Sequence, residues 1–212
     1  RRSPPHSQYL LVKEGNPYWR IAVLTEEAFD HILRPMMQKT SLFLEQKGYE
    51  VEVGKFSILK KDSFQGLEER FWTGTEKIHH IELDFLTSAS FKKNGEYKIF
   101  PELLLVFNNL IRKWNVYSDS MVLGEERLGD KLAEFMCITD YRLHTHPFSV
   151  EGRRIRAFRG NIRLGLFKDD ITRRMASMLA AFADYAGIGI KTAMGMGAVH
   201  SNIAYYQKKE QL

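Results

Sequence analysis

The segment Gly187-Ile188-Gly189-Ile190-Lys191-Thr192-Ala193-Met194-Gly195-Met196-Gly197 restricts the possible fold more than any other part of the chain. Two Gly-apolar-Gly triplets flank five residues, one of them a lysine. Before it, Met175, Met178, Leu179, Phe182 and Ala186 recur at helical spacing, so Ile171 to Ala186 reads as an amphipathic helix capped by Asp170. Gly187 is the expected helix stop, and Ala198 to Tyr206 reads as a strand. The chain must therefore pass from helix to strand through backbone that takes positive φ and comes close to a neighbour. Successive N–H groups in such a loop can form an anion-binding concavity, to which Lys191 would add a point charge. Two nucleotide motifs fail here. A P-loop has glycine directly before Lys-Thr, where this chain has Ile190, and a dinucleotide loop needs a third glycine where Thr192 stands. Both motifs also lead from a strand into a helix, the opposite order. The plain structural alternative is a tight turn that packs Met194 and Met196 into the core.

Upstream, strand and helix patterns alternate. Tyr9–Val12 and Tyr18–Leu24 read as strands about a Gly15-Asn16-Pro17 turn. Thr25 caps a helix reaching about Gln38, with Glu26 and Glu27 in its first turn and Pro35 bending or shortening it. Gly48 ends that region, and Tyr49 to Leu59 reads as a strand with Val51, Val53 and Ile58 inward. From Ile78 onward, Ile81, Leu83 and Phe85 alternate with Glu82 and Asp84, which marks a half-buried strand. Phe100-Pro101 opens a helix, with Pro101 near its first position and an apolar stripe of Leu104, Phe107, Leu110, Ile111 and Trp114. A helical stretch from Glu125 to Phe135 leads to strands at Tyr141–Thr145 and Ile155–Phe167, the second interrupted by Gly160 and Gly165. The second half thus runs strand–helix–strand–strand–helix–strand, the ferredoxin-like order. The first half reads as the same unit without its opening strand and helix. The expected fold is α+β, with tandem ferredoxin-like (βαββαβ) domains divided at 1–75 and 76–212, the first incomplete.

The net charge of +5 is concentrated. Between Glu151 and Arg174 lie Arg153, Arg154, Arg156, Arg159, Arg163, Lys168, Arg173 and Arg174 against only Glu151, Asp169 and Asp170, which accounts for the whole excess. Such a cluster attracts polyanions, and arginine forks suit phosphate. The alternative is a solvated face with no ligand. An apolar fraction of 44% and a charged fraction of 27% exclude a disordered or collagenous chain. No apolar run approaches the roughly 20 residues that cross a bilayer, and the opening Arg1-Arg2-Ser3-Pro4-Pro5 is no signal peptide. The single cysteine, Cys137, cannot form an internal disulfide, so a reducing, cytoplasmic setting is the default expectation.

These residues together resemble a family. The two triplets around five residues including a base, placed between a helix and the last strand, are similar to those of the CRISPR-associated repeat-RNA endoribonucleases, the Cas-six group of the RAMP superfamily. Thr87-Ser88-Ala89-Ser90-Phe91 with Phe100-Pro101, Arg159-Gly160-Asn161-Ile162-Arg163, and the helix Leu179 to Gly187 fit the same family. The likeness covers about Ile78 to Tyr206, and Pro5-His6-Ser7-Gln8-Tyr9-Leu10 fits a segment that lies some tens of residues into the family's proteins. The resemblance implies tandem ferredoxin-like domains that bind CRISPR repeat RNA and process pre-crRNA into guides. It implies cutting without metal or cofactor, by attack of a ribose 2′-hydroxyl on the adjacent phosphate, leaving a cyclic phosphate and a 5′-hydroxyl. Such chemistry needs a base, an acid and cations for the extra phosphoryl charge. The family's histidine lies at the end of a first helix upstream of the matched segment, and this chain reads as lacking that helix. Within the chain the catalytic candidates are His6, Tyr9 and Lys13. The RNA-binding candidates are Arg153, Arg154, Arg156, Arg159 and Arg163, the loop residues Gly187, Gly189, Lys191, Thr192, Gly195 and Gly197, and Lys92 and Lys93. Tyr97, beside Lys92, Lys93 and Lys98 in a hairpin, is a candidate for base stacking. Other Cas proteins and a second copy of the chain are further expected partners.

Two rivals remain. A non-catalytic RAMP subunit would hold guide RNA in an effector complex, and a nucleotide-binding enzyme would use the glycine loop. His144 and His146 share a strand face and could hold zinc, but no companion ligand accompanies them in the sequence, and no metal is expected. His79 and His80 should point to opposite faces of a strand, while His31 and His200 read as structural.

Overall fold

The computed structural model describes residues 3–124, 127–150, 152–167 and 169–206. The chain opens with a hairpin, β1 (His6–Lys13) and β2 (Asn16–Val23), with Lys13 opposite Asn16. Glu14 and Gly15 both take positive φ, 51° and 79°, the backbone of a two-residue turn that matches strand twist. The turn therefore falls one residue earlier than expected, and Asn16 and Pro17 begin the second strand.

Thr25 caps the next segment as expected, accepting the Ala28 N–H, but the helix is not continuous. A short α1 (Glu26–Ala28) widens into a π-helical turn (Phe29–Leu33) before α2 (Arg34–Met36). Pro35 has no N–H and its ring crowds the carbonyl four residues back, so the wider turn accommodates it. A second hairpin follows, β3 (Ser41–Leu44) and β4 (Tyr49–Glu52), turned by Gly48 at φ 69°. The long strand expected over 49–59 stops at Glu52. Val51 is 37% exposed and Ile58 66%, so their apolar alternation faces no core. Beyond that stretch, α3 (Phe64–Trp72), where no element was expected, packs Leu67 and Phe71 inward.

The second half has the expected ferredoxin-like sheet. Its strands are β5 (Ile78–Ala89), β8 (Met136–Thr145), β11 (Phe158–Leu166) and β12 (Val199–Tyr205), in spatial order β12-β5-β11-β8 with every pair antiparallel. Two small hairpins project from it, β6 (Phe91–Lys93) with β7 (Glu96–Lys98), and β9 (Phe148–Val150) with β10 (Arg153–Ile155). The strand expected over 155–167 is thus two elements, because Ile155 pairs back with Phe148 while Phe158 joins the sheet. Gly160, at φ 127°, marks the predicted bend. An added Cβ there would lie 1.9 Å from the Arg142 carbonyl oxygen.

Helices α4 (Leu103–Tyr117) and α6 (Asp170–Ala186) cover one sheet face, and α5 (Leu128–Glu134) packs beside α4. Pro101 lies just before the α4 cap Glu102, and Asp169 rather than Asp170 caps α6 by accepting the Thr172 N–H. Ile81, Leu83, Phe107, Leu110, Trp114 and Phe182 are all within 1% of complete burial. Phe64, Trp114 and Phe182 meet with ring centroids 5.0 to 5.6 Å apart, fastening α3 and α6 to α4. This core leaves the opposite face of the sheet open.

Candidate nucleic-acid interface

A second, smaller core organises the cationic surface. Ile155, Ala157 and Met196 are buried together, with Tyr97, Phe148, Val150 and Ile190 packed against them. Those residues come from the β6–β7 hairpin, the β9–β10 hairpin and the glycine loop, so three segments distant in sequence converge. Each carries bases outward. Lys92 and Lys93 are exposed on the first, Arg153, Arg154 and Arg156 on or next to the second, and Lys191 on the third. The hairpins also sense each other electrically. The Glu96 carboxyl is held below its usual range by its hydrogen bond from Lys98, with Arg156 contributing at longer range. Lys93 lies 3.7 Å from Glu102. Among the described residues Arg153, Arg154, Arg156 and Arg159 have no carboxylate within ion-pair distance. Tyr97 is half-buried in the small core rather than presented as a free stacking ring.

The glycine loop is built differently from the open anion cradle that its sequence invites. Most of its amides are spent internally. Ile188 N–H donates to Gly197 O, Gly189 N–H to Asn109 Oδ1, Ile190 N–H to Ser90 O, and Gly197 N–H to Ser88 O, all at 2.8 to 3.0 Å. Gly187, Gly189, Thr192 and Gly197 are buried. The glycines are needed because backbone meets backbone. A Cβ at Gly189 (φ 93°) would sit 2.4 Å from Ser90 O, and one at Gly197 (φ 65°) 1.9 Å from Ile188 O. Thr192 is committed as well, its Oγ1 lying 3.4 Å from Lys113 Nζ. What the loop presents outward is Lys191, held at φ 55° with its Nζ 3.5 Å from Met194 Sδ, and Met194 itself, which is 37% exposed and not packed into the core.

Lys113 was not singled out from sequence, although its position gave a signal. It follows Val106 by seven residues and Leu110 by three, which places a charge within the apolar stripe of α4. Lys113 is 3% exposed, and its ammonium donates to Ala186 O at 2.8 Å and Gly187 O at 2.9 Å as well as to Thr192 Oγ1. A cation at the carbonyl end of α6 also complements the helix dipole.

On the open face of the sheet, Arg159, Asn161 and Arg163 alternate outward from β11, between buried Phe158, Ile162 and Leu164. Arg163 is not a free cation. Its Nε and Nη2 both contact Glu82 Oε1, at 3.0 and 2.8 Å, and Glu82 is held well below the usual carboxylate range chiefly by that bond. Arg159 is opposite His144, and Arg142 is opposite Asn161. Arg173 and Arg174 donate to the carbonyls of Ile78 and Phe71, and Lys168 lies outside the described residues.

The three catalytic candidates do not converge. His6 begins β1 half-buried, with Nδ1 sealed from solvent and without a hydrogen-bond partner, and burial pushes its pKa down. Tyr9 is 6% exposed, and its hydroxyl accepts from Arg20 Nη1 at 2.9 Å. Lys13 is exposed at the far end of the strand, about 23 Å from His6 at the usual rise and on the opposite face. Only the beginning of β1 adjoins the loop, where the Gln8 Nε2 donates to Ala193 O at 2.6 Å. At the other end of the sheet, His79 and His80 do not diverge as expected. Their Nδ1 atoms are 2.8 Å apart, beside a cleft of about 400 Å³ also lined by Arg163, Arg173 and Tyr206. Among the described residues no group of three His, Cys, Asp or Glu side chains is arranged around a metal position.

The fold and this surface define a ferredoxin-like protein whose cationic face is assembled around a glycine-rich helix-to-strand loop. Residues 83–199 match the family CRISPR-associated endoribonuclease Cas6. The chain is 29% identical over 199 residues to the CRISPR-associated endoribonuclease Cas6 of Streptococcus thermophilus, covering 94% of this chain and 81% of that protein. It is 30% identical over 201 residues to that of Mycobacterium tuberculosis (strain ATCC 25618 / H37Rv), and spans 62% of that relative's length. A solved Cas6 product complex superposes with a TM-score of 0.77 at 20% identity, over 94% of this chain and 83% of that one. With more than half its length inside the family's region, the chain belongs to the Cas6 endoribonuclease family.

Proposed function

We propose that this chain binds CRISPR repeat RNA and processes pre-crRNA into guide units. The observation that carries the reading is the small core of Ile155, Ala157 and Met196, which brings three cationic segments to one surface. Lys191, Arg153, Arg154, Arg156 and Lys92 hold phosphates there, and Arg159 extends the track onto the sheet. The glycines serve the site by allowing the close packing that presents Lys191, rather than by offering their own amides. The chain is read as two units, 1–75 and 76–212, with the first hairpin strapped to the loop through Gln8.

The reaction is attack of the scissile ribose 2′-oxygen on the neighbouring phosphorus. The 2′-hydroxyl proton passes to a base, the P–O5′ bond breaks, and the leaving oxygen takes a proton, giving a 2′,3′-cyclic phosphate and a 5′-hydroxyl. His6 is the candidate base within the chain. Its lowered pKa favours the neutral imidazole that can accept a proton, and β1 starts beside the loop. Cationic side chains stabilise the extra charge on the phosphoryl oxygens. The test is cleavage of repeat RNA in EDTA, with a matched RNA carrying a single 2′-deoxy residue at the scissile position. Cutting of the unmodified RNA alone supports the mechanism. Tight binding with no cutting of either RNA replaces it with the non-catalytic subunit.

A further inference from the structure

Ser88 and His146 form a pair that the reading above leaves unused. Ser88 Oγ lies 2.7 Å from His146 Nδ1, although the residues are 58 apart in sequence. Ser88 is 3% exposed, whereas His146 is exposed. Nδ1 is the partner this buried hydroxyl meets among the described residues, and a buried O–H left unspent would be costly. The hydroxyl therefore donates to Nδ1. A neutral imidazole that accepts at Nδ1 carries its proton on Nε2, so the bond leaves Nε2–H directed away from Ser88. A protonated ring would reverse the Ser88 bond and still present Nε2–H. The outward group is a donor in either charge state.

The surroundings favour an anion. The backbone N–H of His146 donates to Ala157 O, in the small core, at 2.8 Å, and the His146 ring centroid lies 6.1 Å from that of His144. His144 is opposite Arg159, which stands at the register shift between Phe158 and Gly160, where a bulge re-aims a side chain. Ser88's own carbonyl accepts the Gly197 N–H, so the pair joins the sheet to the glycine loop. The charged groups on the adjoining elements include Asp140, Arg142 and His144 on β8, Arg159 and Arg163 on β11, Arg153, Arg154 and Arg156 on and beside β10, Lys191 on the loop, and Glu82 and Asp84 on β5. Cations outnumber the three carboxylates, and Glu82 is already paired with Arg163. Phosphate oxygens are acceptors only, and a guanidinium beside an imidazole N–H suits two of them.

We propose that His146, oriented by Ser88, forms with Arg159 and His144 a phosphate-binding subsite for RNA. The subsite rests on the RNA-binding reading and adds to it a contact off the hairpins. His146 is the group that touches RNA, and Ser88 is its positioning residue.

The test uses the whole chain and a fluorescein-labelled CRISPR repeat RNA from its own locus, with binding followed by anisotropy. His146→Ala is expected to weaken binding about tenfold, as for loss of one charge-assisted contact. Ser88→Ala should give part of that loss, Ser88→Thr should restore it, and Ser88→Ala should add nothing to His146→Ala. A long-range ¹⁵N spectrum should show the His146 Nδ1 resonance moving in Ser88→Ala, a change that a purely structural serine would not cause. Unchanged affinity in His146→Ala, while R153E/R154E loses RNA, overturns the subsite and leaves the RNA reading standing. Additive losses from Ser88→Ala and His146→Ala overturn the positioning role. A wild-type protein that binds no repeat RNA overturns the functional reading itself.

Discussion

Replacing Lys113 with methionine should make the stability gap between variant and wild type depend on pH. Burial, with a smaller contribution from Arg112, pushes the Lys113 pKa from 10.5 down to about 7. In the unfolded chain the ammonium keeps its proton up to its ordinary range. Between pH 7 and 10.5 the unfolded state therefore holds a proton that the folded state lacks, and the unfolding free energy rises with pH. The slope approaches 1.4 kcal/mol per pH unit, so wild type should gain about 2 kcal/mol between pH 7 and 9 relative to a chain without this group. The penalty is complete below pH 7 and vanishes above 10.5. Methionine has similar length and no proton, and the other titrating groups are common to both proteins, so they cancel in the difference. Urea unfolding of both proteins at pH 6, 7, 8 and 9 measures it. The variant should also exchange the amides of Ile188, Gly189 and Gly197 faster, because Ala186 O, Gly187 O and Thr192 Oγ1 lose their shared donor. Stability curves that run parallel across this range would refute the assignment of a strained, buried ammonium.

Gly197→Ala should destabilise by about 3 kcal/mol or more, seen as a large fall in Tm, since its φ of 65° and the Ile188 oxygen at 1.9 Å leave no place for a methyl group. The charge reversal R153E/R154E should weaken RNA binding by at least about tenfold and flatten its dependence on salt, measured by anisotropy between 50 and 300 mM NaCl. Arg159→Ala should weaken RNA binding more than Arg163→Ala, because the Arg163 guanidinium is already held by Glu82. Equal losses from the two, in the same titration, would mean that the Glu82 pair opens to release Arg163.

The second ferredoxin-like unit was legible because its elements are amphipathic in the simplest way. Ile81, Leu83 and Phe85 alternate along β5, and Met178, Leu179, Phe182 and Ala186 make a continuous face on α6, so burial follows period. The first half was less legible. The alternation of Val51 and Val53 imitates a buried strand, yet among the described residues β4 pairs only with β3, and Val51 is exposed while Val53 is only partly covered. The helical spacing of Phe64, Leu67 and Phe71 was present, in a stretch beyond that strand to which no element was assigned. For the site, sequence located the cationic segments but not their state. Arg159 and Arg163 occupy equivalent positions in a pattern, and only the register that sets Glu82 opposite Arg163 distinguishes them. Glycines, likewise, signal that space is needed without saying whether a ligand or another stretch of backbone fills it. Here backbone does, and the ammonium that pins it comes from a helix 73 residues away.

Three buried hydrophobic side chains, Ile155, Ala157 and Met196, form the centre of the cluster where the two hairpins meet the loop. So small a seam opens at a lower free energy than the main interior does. The positively charged segments would then come apart together on warming, while the helices and four-stranded sheet still hold. The upper temperature for gripping a polyanion is set by this minor contact, not by the melting point of the whole molecule.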